Sequence, residues 1–218
     1  KSSFNGDISQ WNVSKVWGMS HMFQRSHFTG KNGGISEWDV SGVGDMCRMF
    51  EYSTFNGDIS KWDVSNVRSM MGMFCYCDFN GDISEWDVRN VFAMDIMFRG
   101  NTKFDGDLSK WNVANVKYMD GMFEGTQFKG DISKWNVSKV QTMRHMFKDS
   151  KFDGDISQWN VSAVRAGNDA FLNSSFTGDV SGWEVKKHWE TIQMFHGLDT
   201  ENMPERFRPW DWDLELDK

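Results

Sequence analysis

Tryptophan recurs in this chain at a nearly fixed interval, and no other sequence feature constrains the fold as strongly. Trp11, Trp38, Trp62, Trp86, Trp111, Trp135, Trp159 and Trp183 are separated by 27, 24, 24, 25, 24, 24 and 24 residues. A fixed period between 20 and 50 residues marks a repeat architecture, in which each unit buries its apolar face only against its neighbours. The 218 residues therefore read as one elongated domain, with eight repeats over residues 1–195 and a C-terminal cap over 196–218. Trp210 or Trp212 is expected to cover the last repeat. A complete repeat starts almost at Lys1 with no polar end unit before it, so the chain reads as a fragment or a processed piece of something longer.

Column by column, each repeat has two halves. The first is Phe-x-Gly-Asp-Ile-Ser followed by Trp-x-Val, as in Phe55 to Val64. The glycine suits a positive φ or close packing between repeats. Trp62 and Val64 are two apart, which in an extended segment turns both to one face. The residues before and after each Trp are polar and varied. This half predicts a short strand, and stacking the repeats would pair the strands in parallel about 4.8 Å apart. The second half is Ser-x-Val-x-x-Met-x-x-Met-Phe, as in Ser65 to Phe74. Val67, Met70, Met73 and Phe74 fall on one helical stripe, with Ser65 as a candidate N-cap. This half predicts about two turns of helix or 3-10 helix. The expected fold class is thus an α/β repeat, a parallel solenoid with one short strand and one short helical segment per coil of 24 residues.

The methionine columns at helical spacing, each with an adjoining Phe, read as core. Gly167 and Ala170 break the stripe and predict a thinner, looser coil. Lys31-Asn32-Gly33 and one extra residue within Arg99–Lys103 are insertions at corners. Cys47, Cys75 and Cys77 are odd in number, fit no repeat column and read as incidental small hydrophobes. Net charge is −7 and spread along the chain, so no basic patch points to nucleic acid. No apolar run reaches 18 residues, so no transmembrane segment is expected.

The motif FNGDISxWDVSxVxxMxxMF resembles the bacterial surface protein 26-residue repeat, over residues 1–195 and eight times in succession. That repeat is grouped with the BspA-like leucine-rich-repeat surface proteins and is abundant in mycoplasma lipoproteins. The resemblance implies a leucine-rich-repeat-like solenoid, extracellular or cell-surface display, and adhesion or protein binding. This chain departs from the family at the pair after the second Val. Thr-Asn or Thr-Asp is usual there, and here the pair differs in every repeat, for example Arg68-Ser69, Phe92-Ala93 and Lys117-Tyr118.

The fixed columns are where chemistry common to every repeat would sit, and the variable ones where recognition would. Stacked carboxylates about 5 Å apart repel by about 1 kcal/mol per pair in water, so the Asp column needs compensation. Hydrogen bonds to turn N–H groups are the favoured reading. Calcium between coils at Asp58, Asp82, Asp107, Asp131 and Asp155 is the sharper one. No cofactor is expected. His21 and His145 share a column five repeats apart and cannot form one site, and no nucleophile elbow, P-loop or ligand cluster is present, so no enzyme is expected. What varies against the fixed frame is Trp17, Arg48, Arg68, Phe92, Tyr118, Arg144, Arg165 and Trp189, and these are the candidate partner-binding residues. The expected function is a non-enzymatic surface or scaffold module for adhesion or assembly, binding a protein partner. The alternatives are a carbohydrate-binding module, which would use a glycan partner, and a purely structural spacer.

Overall fold

In the computed structural model the described residues are 2–31, 34–186, 191 and 193–207. Trp189, Trp210 and Trp212 lie outside them.

The α/β solenoid expectation is overturned. Among the described residues the named helices are three 3-10 turns, Gln193–Phe195 at the end of the last repeat and Thr200–Asn202 and Glu205–Phe207 beyond it. No extended strand and no sheet forms; parallel pairing is confined to isolated single-residue bridges. The fold is therefore not a leucine-rich-repeat α/β solenoid. Ser65 caps no helix: its N–H donates to Asp63 Oδ1 at 3.0 Å, inside a turn.

Each repeat is instead a chain of β-turns. In the third repeat Trp62 N–H donates to Ile59 O at 3.2 Å, Val67 to Val64 at 2.9 Å, Met73 to Met70 at 3.1 Å and Cys77 to Phe74 at 3.2 Å. Each bond joins residue i+3 to residue i, which defines a turn with its two middle residues at a corner. The flanking apolar residues are buried, and most of the middle ones, Lys61, Asn66 and Tyr76 above all, face the surface, while Gly72 and Cys75 are buried. A spacing of three that resembles a helical stripe is the spacing of turn ends.

The turns of successive repeats are stitched together by backbone bonds. From Met70 onward alternate N–H groups cross to the next repeat: Met70 to Ala93 O, Gly72 to Asp95 O, Phe74 to Met97 O and Tyr76 to Arg99 O, at 2.7 to 3.0 Å. The alternation between a bond inside the repeat and a bond across repeats requires a positive φ at two positions per repeat. Gly72, Gly100, Gly121 and Gly125 supply some of these, but ten non-glycine residues adopt it as well, including Ile96 at 48°.

Aromatic columns fill the interior. Phe50, Phe74, Phe98, Phe123 and Phe147 stack across repeats at 5.7 to 5.9 Å. A second column, Phe55, Phe79, Phe104, Phe128 and Phe152, stacks at 6.1 to 6.3 Å. Trp62, Trp86, Trp111, Trp135, Trp159 and Trp183 are buried, and each indole N–H donates to the Ile or Leu carbonyl of the preceding repeat at 2.9 to 3.1 Å. Trp11, in the first of the eight repeats, is 54% exposed. The glycine of Phe-x-Gly is fixed by packing rather than by φ: a Cβ on Gly57 would stand 2.9 Å from the Phe55 ring.

Two expectations are corrected in detail. The coil at Gly167 is not loose, because Met194 reaches in and its Cε would lie 2.6 Å from a Cβ at that glycine. Cys77 does occupy a column. It stands where other repeats place Ser26, Ser53, Asn101, Thr126 and Ser150, polar residues buried at the turn before each core Phe. Ser26 and Ser53 accept the Phe28 and Phe55 N–H groups there, at 3.0 and 3.3 Å. Asn101 spans the extra residue of its repeat by accepting from both Lys103 N and Phe104 N. At the far end Met194, Phe195, Met203 and Phe207 are buried with the core, and Val180 N–H donates to Asn202 O at 2.9 Å.

Candidate functional site

The variable pair after the second Val is where repeats pair in parallel. The bridges join Gly18, Asp45, Ser69, Ala93, Tyr118, Thr142 and Ala166 in succession. The first residue of each pair donates its N–H backward: Arg68 to Gly44 O, Phe92 to Arg68 O, Lys117 to Phe92 O, Gln141 to Lys117 O and Arg165 to Gln141 O, at 2.8 to 2.9 Å. The backbone of this ladder is fixed whatever its side chains are, and this is the physical reason the pair is free to vary.

Five of the candidate partner-binding residues lie on this one ladder. Trp17 is 70% exposed, Phe92 41% and Tyr118 36%, and Arg68 and Arg165 are exposed between or beyond them. Trp17 leans over Gly44, where a Cβ would come within 3.0 Å of the indole Nε1. Phe92 and Tyr118 meet edge to face at 6.5 Å. Lys117 belongs with them and was missed; its place beside Tyr118 in the pair was the available signal. Arg48 and Arg144 do not join the stripe. Both are half-buried in the turns after it, Arg48 beside Glu51 at 3.7 Å and Arg144 on Asp120 at 3.1 Å. Trp189 lies outside the described residues.

The carboxylates of the Asp column are engaged within their own turns. Asp58 Oδ1 accepts the Ser60 N–H at 2.9 Å and its hydroxyl at 2.7 Å, and Asp82, Asp107, Asp131 and Asp155 accept the matching Ser N–H at 2.8 to 2.9 Å. These backbone bonds, with the Ser hydroxyls, hold all five carboxyls below their ordinary pKa. Among the described residues no three His, Cys, Asp or Glu side chains converge on a point that could hold a metal ion.

One cluster escaped the sequence reading. His145 Nε2 and His196 Nδ1 flank the two oxygens of Asp169, at 3.6 and 3.2 Å. His145 and Asp169 share a column in adjacent repeats, a signal that pairing His with His alone could not detect. The thiols are unreactive in kind: burial pushes Cys75 up to about 12 and Cys77 up to about 11, so neither is a thiolate nucleophile at neutral pH. The exposed Tyr52 and Tyr76 stack on each other at 4.9 Å, Arg25 sits over Tyr52, and Tyr76 covers Gly100. Their faces are therefore occupied by the protein itself. Among the described residues no helix is long and apolar enough to cross a membrane.

This geometry defines a repeat protein whose described units are chains of β-turns and whose bridging stripe carries a variable pair in each repeat. The chain belongs to the family described as Mycoplasma protein of unknown function, DUF285, whose signature matches residues 1–78, 25–127, 52–148 and 119–210. No curated protein and no solved structure matches it.

Proposed function

We propose that this chain is a non-enzymatic binding module that contacts a protein partner through the stripe Trp17, Arg68, Phe92, Lys117, Tyr118 and Arg165. The observation that carries this reading is the coincidence of the variable pair with the bridging ladder: aromatic and cationic side chains stand in file on a rigid backbone. Rigid presentation lowers the ordering cost of binding, and exposed aromatics and arginines are the residue types that dominate interface energies. The stripe is cationic in a chain of net charge −7, which favours an extended partner segment carrying carboxylates. The motif's resemblance to BspA-like bacterial surface proteins supports display at a cell surface, in adhesion or assembly. The glycan alternative has less behind it. The stacked Tyr52 and Tyr76 offer a sugar no free face, which leaves Trp17, 70% exposed in the stripe, as its most open aromatic platform.

The test replaces Trp17, Phe92 and Tyr118 together by alanine and measures binding of the labelled chain to cells of the organism that makes it. Binding should fall at least about tenfold, as the loss of interface anchors implies, with an unchanged Tm. Binding that survives the triple substitution would overturn the assignment of this face.

A further inference from the structure

A second polar ladder runs through the residue between Phe and Gly in each repeat. Its side-chain oxygens accept the N–H of the same position one repeat on. Thr29 N donates to Asn5 Oδ1 at 3.0 Å, Asn80 N to Asn56 Oδ1 at 2.9 Å and Asp105 N to Asn80 Oδ1 at 3.1 Å. Lys129 N donates to Asp105 Oδ1 at 2.9 Å and Thr177 N to Asp153 Oδ1 at 2.7 Å. At Asn56 the acceptor is the Thr29 backbone carbonyl, at 3.3 Å. The ladder breaks at one rung. Lys129 occupies the position that should accept from Asp153 N–H, and an ammonium accepts nothing. Among the described residues no acceptor reaches that N–H.

A cavity of about 350 Å³ opens at this break, lined by Lys129, Lys151, Asp153, Gly154 and Ser175. Both lysines are held by their backbone N–H groups, Lys129 on Asp105 Oδ1 and Lys151 on Thr126 O, while neither ammonium group has an ion-pair or hydrogen-bond partner among the described residues. Of the groups facing the cavity, Asp153 is the one carboxylate, and its Oδ1 is committed to the Thr177 N–H and hydroxyl, the latter at 3.0 Å. Two lysines, a serine and the residue whose backbone N–H is unpartnered thus line one cavity where every other rung places a side-chain or backbone oxygen.

We propose that this cavity binds an oxyanion group — sulfate, phosphate or carboxylate — whose oxygen accepts the Asp153 N–H and whose charge is met by Lys129 and Lys151. The anion would complete the ladder from outside, taking the place that Asn or Asp takes in neighbouring repeats. Charge-assisted bonds of this kind are about twice as strong as neutral ones, and backbone N–H groups beside cations are a recurrent way to hold oxyanions.

The substitution Lys129→Asn separates this from a structural role, because Asn restores the internal acceptor as it does at Asn56 and Asn80. Amide NMR of the full chain would be followed during titration with sodium sulfate, and separately with acetate to represent a peptide carboxylate, against sodium chloride at matched ionic strength. The Asp153, Gly154 and Ser175 amides should shift saturably with sulfate. Saturation with acetate as well would assign the site to carboxylates, and silence with acetate would assign it to tetrahedral anions. In Lys129→Asn the response should disappear while Tm is kept or raised, and in Lys151→Gln affinity should fall about fivefold. Shifts matched by chloride, no shift at all, or a full response retained in Lys129→Asn would each overturn the proposal.

Discussion

At the scale of single residues the unusual demand of this fold is positive φ. Left-handed backbone costs a non-glycine residue about 1–2 kcal/mol, and here ten such residues adopt it because the crossing hydrogen bonds fix them there. Where glycine does hold the position, a neighbour has grown into the space. A Cβ on Gly100, at φ 64°, would lie 2.2 Å from Tyr76 Cε1. Gly100→Ala should therefore destabilise by about 2–4 kcal/mol in urea unfolding, and by about 1–2 in a Tyr76→Ala background where only the φ cost remains. Equal losses in both backgrounds would show that the Tyr76 ring is not what the new methyl meets. Asp95 makes the opposite kind of case. Burial pushes its carboxyl above the ordinary value, the Asp120 N–H pulls it partly back, and the Asp120 charge pushes it up again. A carboxyl raised on folding contributes most when protonated, and that contribution is lost as pH rises through the folded-state pKa. Asp95→Asn keeps an oxygen for the Asp120 N–H, so it should raise Tm at pH 7, with the gain vanishing below about pH 4. A gain of the same size at both pH values would refute the electrostatic cause.

At the scale of the element the unit is the β-turn with its ends in the core. The sequence columns were legible as core: Ile59, Trp62, Val64, Val67, Met70, Met73 and Phe74 are all buried. Their backbone was not, because the i, i+3 spacing of a helical face and of a turn's two ends is the same pattern. Only the positive φ at Arg48, Tyr52, Tyr76 and Ile96 separates the two, and those residue types do not announce it. The Trp-x-Val alternation misled in the same way. The parallel pairing fell on the variable pair, whose side chains carry no β pattern because its hydrogen bonds are purely backbone. Most of the stripe is legible from variation alone, Lys117 included through its place beside Tyr118, while the ladder shows why these positions line up. The element also depends on a bond that burial statistics do not show, the indole N–H to the preceding repeat. Trp111→Phe would remove one of the two hydrogen bonds that Ile83 O accepts, leaving it the Trp86 N–H alone, and with the smaller ring should cost about 1–2 kcal/mol by urea unfolding. Trp11→Phe, at an exposed position, should stay within about 0.5 kcal/mol. Similar costs at both sites would deny the cross-repeat bond its role.

At the scale of the whole molecule the repeats add identical small effects. Asp7, Asp58, Asp82, Asp107, Asp131, Asp155 and Asp179 are each held below the ordinary carboxyl pKa, chiefly by the N–H of the Ser two residues on. A carboxyl lowered on folding stabilises above its unfolded-state pKa and loses that effect as pH falls through the folded value. Thermal unfolding followed below about pH 4 should show a steep, cumulative loss of Tm. Asn accepts the same bond without a charge and without titrating, so Asp58→Asn, Asp107→Asn and Asp131→Asn combined should lower Tm near pH 7, converge on the parent in acid and show a shallower acid slope. An unchanged acid slope would place acid sensitivity elsewhere.

Both the fold and the binding stripe rest on backbone pairing between repeats that runs through the variable pair and the turns after it, and not through the backbone of Trp-x-Val. Amide hydrogen exchange resolved by NMR tests it directly. Lys117 and Asn112 are both exposed, but Lys117 N–H donates to Phe92 O at 2.9 Å. No acceptor among the described residues reaches Asn112 N–H. The Lys117, Phe92 and Arg165 amides should exchange at least about a hundredfold more slowly than those of Asn112 and Asn136. The reverse order, protection at Asn112 and Asn136 with rapid exchange at Lys117, would contradict the turn-built stack and return the pairing to Trp-x-Val.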